Sequence, residues 1–187
     1  MATSASSLPR YLLNQVALSN AIRRLWADNS QWTWALIYSI LYGQADRNAV
    51  VARLQRNADD FASIFSEFYG QQTGELVREY INNDLEGTIR MIEAYKANDV
   101  RAVRRAREYL YRNADELSRH LSRVNPYWDM PSLQVMFNEI INLLEYETML
   151  IRDGRPDESI RRHDELMEQA YRLSDDLTYG ILKQFQV

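Results

Sequence analysis

The chain has 187 residues, no cysteine, and 22 Lys and Arg against 26 Asp and Glu, a formal net charge of −4. That balance argues against a general nucleic-acid binder, whose surface is normally basic. The lack of cysteine excludes a disulfide frame and thiol chemistry, which fits the cytoplasm.

Hydrophobic residues make up 46% and charged residues 26%, with only 6 Gly and 4 Pro, a composition suited to one globular domain of long helices. Residues 1–10 are small and polar and end in Pro9-Arg10, which predicts a flexible N-terminal arm ahead of a single domain over 11–187. The opening residues lack the charged start and apolar centre of a secretory signal.

Helix one is expected from about Leu12 to Tyr42. Leu18, Ile22, Leu25, Trp26, Asn29, Thr33, Leu36, Ile37 and Ile40 share one face, and Gly43 is the stop. Its run from Trp34 to Tyr42, broken by Ser39, is the longest apolar stretch and is too short for the ~20 residues that cross a bilayer. Asp46 is read as the cap of helix two, Arg47 to Tyr69, with Val50, Leu54, Ala58, Phe61, Phe65 and Phe68 inward. Gly70 and Gly74 bracket the next break, and Thr73 caps helix three, whose stripe is Val77, Ile81, Asp84, Thr88, Met91, Ile92 and Tyr95. Asp99 caps helix four after the Ala97-Asn98-Asp99 turn, with Val103, Ala106, Leu110, Ala114, Leu117, Leu121 and Val124 inward.

The segment Asn125 to Pro131 is a loop because its prolines resist continuous helix. Helix five, about Ser132 to Arg152, is read with Val135, Met136, Ile140, Leu143, Glu147 and Leu150 on its face. After the Asp153-Gly154-Arg155-Pro156-Asp157 turn, helix six carries Ile160, Met167, Ala170, Ser174, Leu177, Ile181 and Phe185.

Arg56-Asn57-Ala58-Asp59 recurs as Arg112-Asn113-Ala114-Asp115 and more loosely as Arg172-Leu173-Ser174-Asp175. Set in register, these stretches divide the chain into three helical hairpins, each with the pattern on its second helix. Each hairpin closes on aromatics: Phe68-Tyr69, Tyr127-Trp128 and Phe185. Arg and Asp three apart can pair on a helix surface, so Arg56–Asp59, Arg112–Asp115 and Arg172–Asp175 are read as structural ties. Short turns make neighbouring helices antiparallel, which predicts an up-and-down bundle of about six helices, all-α and of ferritin-like class.

The same register aligns Asn29, Asp84 and Glu139, spaced 55 residues apart, on the first helices. A carboxylate on an apolar stripe is costly unless paired or metal-bound. These residues, with Asp28, Thr33, Thr88, Glu145 and Glu147 around them, are therefore either a divalent-metal site or a polar layer that sets helix register. The Glu-x-x-His pairs of ferritin-like metal sites are missing, since neither His120 nor His163 follows a Glu at that spacing.

Trp26, Trp32, Trp34, Tyr38 and Tyr42 crowd helix one and are read as a self-association surface. Arg101, Arg104, Arg105 and Arg107 are read as a solvated basic face. No phosphate loop, metalloprotease pair or nucleophile elbow is present.

Leu25-Trp26, Arg53-Leu54-x-Arg56-Asn57-x-x-Asp60-Phe61, Phe68-Tyr69-Gly70, Asn113-Ala114-Asp115-Glu116, Asn125-Pro126-Tyr127-Trp128 and Ile181-Leu182-Lys183-Gln184-Phe185 together resemble a family of uncharacterised bacterial helical proteins, over roughly residues 20–186. Some members carry an acetylglutamate kinase label, an activity that would need an α/β sheet and phosphate-binding glycines. The resemblance implies the helical fold and no activity. Family members often have Glu-His where this chain has Asp28-Asn29 and Asn83-Asp84, so any metal-binding histidines there are absent here.

The leading expectation is a cytoplasmic, non-enzymatic structural or interaction protein with no cofactor, no nucleic-acid or membrane partner, and self-association through aromatic helix surfaces. The alternative is a metal-binding protein or metal-dependent enzyme centred on Asn29, Asp84 and Glu139.

Overall fold

The computed structural model describes residues 7–186, with side chains from residue 14 onward. Six α-helices and no strand are present among the described residues: α1 Ser7–Tyr42, α2 Arg47–Tyr69, α3 Gln71–Lys96, α4 Val100–Val124, α5 Met130–Arg152 and α6 Pro156–Phe185. Most of the expected arm over 1–10 lies outside the described residues, and Ser7 to Arg10 open α1.

The turns follow local chemistry. Gly43, Asn98 and Gly154 adopt φ of 65°, 55° and 67°, the left-handed geometry that ends a helix. Asp99 caps α4 by accepting from the amides of Arg101 and Ala102 at 3.0 and 2.9 Å, and Asp129 caps α5 through the Ser132 amide at 3.0 Å.

Two expected caps are not formed. Asp46 is in a helical conformation and accepts from the Ser39 hydroxyl at 2.8 Å instead. Thr73 is buried in the first turn of α3, which starts directly after Gly70. Gly74 is therefore inside the helix rather than at a break. A Cβ there would lie 2.5 Å from the Ala62 carbonyl oxygen, so glycine lets α2 and α3 touch backbone to backbone.

Consecutive helices pack against one another and α6 returns to α1, closing a ring, while α1, α3 and α5 also touch one another. The first helices of the three hairpins thus hold the middle, and the second helices fill the outside between them.

One end of the middle trio is tied by polar contacts. The Lys96 ammonium donates to the Ile40 carbonyl, the Tyr42 hydroxyl donates to the Ile151 carbonyl at 3.0 Å, and the Arg152 guanidinium lies 5.3 Å from the Tyr95 ring. The opposite end is aromatic. The closing residues of the hairpins meet there, with Tyr69 centred 5.4 Å from Trp128 and 5.3 Å from Phe185. The Tyr69 hydroxyl accepts from the Asn125 amide at 2.8 Å, and burial pushes its pKa up to about 12.

The expected inward faces of α2, α3 and α4 are buried or half-buried with only Asp84 as a charged member. On α6, Ala170, Ser174, Leu177 and Ile181 are buried as expected, while on α5 Leu143, Glu147 and Leu150 are buried as expected and the rest of the face is rotated. Leu133, Phe137, Ile141, Leu144 and Ile151 form the α5 core, while Val135 is 68% exposed. On α6, Leu166 and Leu173 are inside and Ile160 is 54% exposed. Helix α5 is apolar at 133, 135–137, 140–141 and 143–144, so several 3–4 stripes can be drawn through it, and contact with α1 and α3 selects one.

Candidate functional site

The recurrent Asn-Ala-Asp stretch is an interhelix fastener. The Asn57 amide nitrogen donates to the Leu25 carbonyl at 3.0 Å, and the Asn113 amide nitrogen to the Tyr80 carbonyl at 2.9 Å, so α2 and α4 each grip the preceding first helix by the same bond.

The aspartates face the other way. Asp59 lies 3.5 Å from the Arg78 guanidinium, Asp115 accepts from Gln134 at 2.8 Å, and Asp175 takes two bonds from Arg23 at 2.7 and 2.6 Å. Each second helix is thereby joined to the first helix of the next hairpin, and the last is joined back to α1. These contacts replace the expected Arg-x-x-Asp pairs within a helix. Asparagine reaches the preceding helix while aspartate, two residues on, points some 200° around the axis toward the following one.

Asn29 and Asp84 come together at one central cavity of about 50 Å³, with Trp26, Tyr80, Phe137 and Ile140 in its wall. The third expected member does not join them. Glu139 is exposed, and Ile140 occupies the place beside Asn29 and Asp84.

The buried positions explain the error. Ile22 and Val77 are 55 apart, but Val77 and Leu133 are 56 apart, and the same step takes Ile81 to Phe137 and Asp84 to Ile140. One added residue turns a helix by about 100°, which carries Glu139 out to solvent. The third hairpin also has Leu173 where the others have Asn57 and Asn113, so both polar members are exchanged for apolar ones there.

The cavity's amides have defined orientations. The Leu25 carbonyl can only accept, so Asn57 must present its nitrogen there and its oxygen to Asn29, which donates to it at 3.1 Å. Asn113 likewise donates one of its two amide N–H groups to the Tyr80 carbonyl. Asp84 and Thr33 make no hydrogen bond or ion pair with any described residue. Desolvation alone pushes the Asp84 carboxyl up to about 6, against an ordinary value of 3.8.

The other buried acids are satisfied elsewhere. Glu147, 1% exposed, meets His163 Nδ1 at 2.9 Å, and the histidine ring lies 5.8 Å from that of Trp34. Burial pushes the Glu147 carboxyl up, and the His163 bond opposes that push. Glu145 accepts from the Tyr95 hydroxyl at 2.7 Å and lies 3.3 Å from Arg107. Burial, the bond to Glu145 and its charge together raise the Tyr95 hydroxyl. Asp28 pairs with Arg53 at 2.7 Å. Each of these pairs joins two helices. The Glu147–His163 pair escapes sequence reasoning because its members sit on different helices, 16 residues apart with no motif.

The donor set at the cavity does not fit a ferritin-like metal centre, which takes several carboxylates and histidines. Asp84 is the single carboxyl in the wall, and no three His, Asp or Glu groups among the described residues are placed to hold a metal. No family model, curated protein or solved structure matches the chain.

Proposed function

We propose that this is a non-enzymatic structural or interaction protein, a helical bundle that presents surfaces rather than turning over a substrate. The observation that carries this reading is how the interior polar groups are used. Asn57, Asn113, Glu145 and Glu147 are each engaged in a bond between helices. General acid–base or nucleophilic catalysis asks for two or more reactive groups within reach of one substrate atom. The cavity wall offers the lone Asp84 carboxyl. The resemblance to bacterial helical proteins fits the same reading.

Self-association belongs to this proposal, with a change of place. Trp32 lies under the Arg53 guanidinium at 5.6 Å, and Trp34 is 4.8 Å from Tyr38, so the half-buried aromatics of α1 already have partners within the chain. Tyr127 at 52% and Phe185 at 37% exposure sit at the aromatic end, together with exposed Tyr179 on α6. Aromatic residues of this kind are enriched in interfaces.

Two measurements test the reading. Light scattering on the purified protein should give a mass above one chain, returning to one chain in Tyr127→Ser/Phe185→Ser. A screen of hydrolytic and transfer substrates should show no turnover; activity abolished by Asp84→Asn would overturn the non-enzymatic reading.

The divalent-metal reading is supported only by Asn29 and Asp84 facing one cavity. Metal analysis of protein purified without chelator removes it if stoichiometry is near zero and iron, manganese and zinc give no thermal shift.

A further inference from the structure

The central cavity is one-sided in charge. Asn29 and Asn113 each donate one of their two amide N–H groups, to Asn57 and to the Tyr80 carbonyl, and the oxygen of each takes no bond from a described residue. Asp84 adds two carboxyl oxygens and Thr33 a hydroxyl, all without partners among the described residues. No Arg, Lys or His lines the wall, and its titratable members are Asp84 and Tyr80. The Asp84 carboxyl therefore has no cationic counterpart in the wall, whose donors are neutral groups such as the unpartnered indole N–H of Trp26. A buried carboxylate left this way is normally paired with a positive charge. The remaining wall is aromatic and aliphatic, including Trp26, Tyr80 and Phe137, and aromatic faces attract cations.

Size narrows the ligand. One water takes roughly 10–15 Å³ by the same measure, so a cavity of about 50 Å³ holds a molecule of roughly three or four non-hydrogen atoms. The complement of such a space is small, positively charged and rich in N–H donors.

We propose that the cavity between α1, α3, α4 and α5 is a binding site for a short primary ammonium ion of methylammonium to ethylammonium size. Its N–H groups are held by the oxygens of Asp84, Asn29 and Asn113, and its carbon end lies against the aromatic wall. Binding is an ion-pair and hydrogen-bond association with no covalent step. It stands whether or not the protein self-associates and whether or not it turns over a substrate.

A ligand this small reaches an affinity on the order of 1 mM, within reach of NMR titration. Methylammonium chloride is titrated into the full-length protein against sodium chloride at equal ionic strength. The signals followed are the side-chain amides of Asn29 and Asn113, the Trp26 indole and the Asp84 backbone amide. The expected result is saturable shifts with methylammonium alone, weakened at least about tenfold in Asp84→Asn. Lowering the solution from about pH 7.5 to about pH 5 should weaken binding in the unmodified protein, since Asp84 is then protonated. That arm decides the matter even if Asp84→Asn does not fold.

The proposal is overturned if methylammonium gives no saturable shift up to on the order of 100 mM. It is equally overturned if affinity is unchanged in folded Asp84→Asn, or if lowering the pH leaves binding intact. Tetramethylammonium, which is larger and has no N–H, binding as well as methylammonium would also overturn it. So would sodium giving the same saturable shifts, because the site would then be one for metal ions or for unspecific charge.

Discussion

Asp84 is the one charged side chain in the wall of the central cavity. Its carboxyl has no hydrogen-bond or ion-pair partner among the described residues, and its pKa is pushed up to about 6, from an ordinary 3.8, by desolvation. The folded state therefore holds a proton that the unfolded chain releases, and stability falls as pH rises between those values. A shift of this size corresponds to roughly 2–3 kcal/mol once the group is ionised. Asp84→Asn should thus stabilise the protein near neutral pH by about 1–3 kcal/mol and by little near pH 4, where both side chains are neutral. Urea unfolding in amine-free phosphate buffer at the two pH values checks it.

Asn57 poses the opposite case. Asn57→Leu leaves the half-buried Asn29 amide without that acceptor and the Leu25 carbonyl without its side-chain donor, and should cost about 1–3 kcal/mol. The third hairpin carries Ile140 and Leu173 at the corresponding positions. Adding Asn29→Ile should therefore recover much of that loss, read as a coupling energy in a double-mutant cycle. Glu147 depends on His163 in the same way, so His163→Phe should cost about 1–3 kcal/mol, and more at neutral pH than in acid, because burial already raises the Glu147 carboxyl.

Among the helices, the inward faces of α2 and α4 are legible from periodicity because each has a single apolar stripe against a charged surface. The stripe of α5 is not legible, since apolar residues at 133, 135–137, 140–141 and 143–144 permit more than one face. That ambiguity misplaced Glu139, because positions 139 and 140 point about 100° apart on a helix. Caps depended on context as well. Asp99 caps as the local pattern predicts, Asp129 caps α5 although the sequence reads it only as part of a loop, and Asp46 is taken by Ser39.

Helix contacts set by glycine give a further prediction. A Cβ at Gly180 would lie 2.0 Å from Trp128 Nε1, and Trp128 is 3% exposed and packed against Phe65 and Tyr69. Gly180→Ala should lose about 1–3 kcal/mol despite the better helix propensity of alanine. Its near-ultraviolet circular dichroism should change as the Trp128 ring is displaced.

For the molecule as a whole, closure of the ring matters more than any one ion pair. Arg23 and Asp175 join α1 to α6, but both side chains are about half exposed, so solvent screens their bridge and it contributes little. The larger effect of α5 and α6 is to cover α1 and α3: Phe137 lies 6.0 Å from Trp26, and α6 packs along α1. A fragment of residues 1–124 keeps four helices but leaves that inner surface in water. It should retain helical circular dichroism and lose the cooperative thermal transition of the full chain, as expected when secondary structure outlasts side-chain packing.

The sequence alone determined the helix class, the number of helices and most of their ends. Those properties rest on 3.6-residue periodicity and on turn chemistry within a few residues. Tertiary structure decided which face of α5 turns inward, that Asp59, Asp115 and Asp175 reach the next hairpin, and that Glu147 finds His163. It also decided that Asn29 and Asp84 share a cavity from which Glu139 is excluded. The physical reason is rotation: each residue turns a helix by about 100°. A single added residue between hairpins therefore exchanges a carboxylate for Ile140 at the centre, and only packing of all six helices defines where that centre lies.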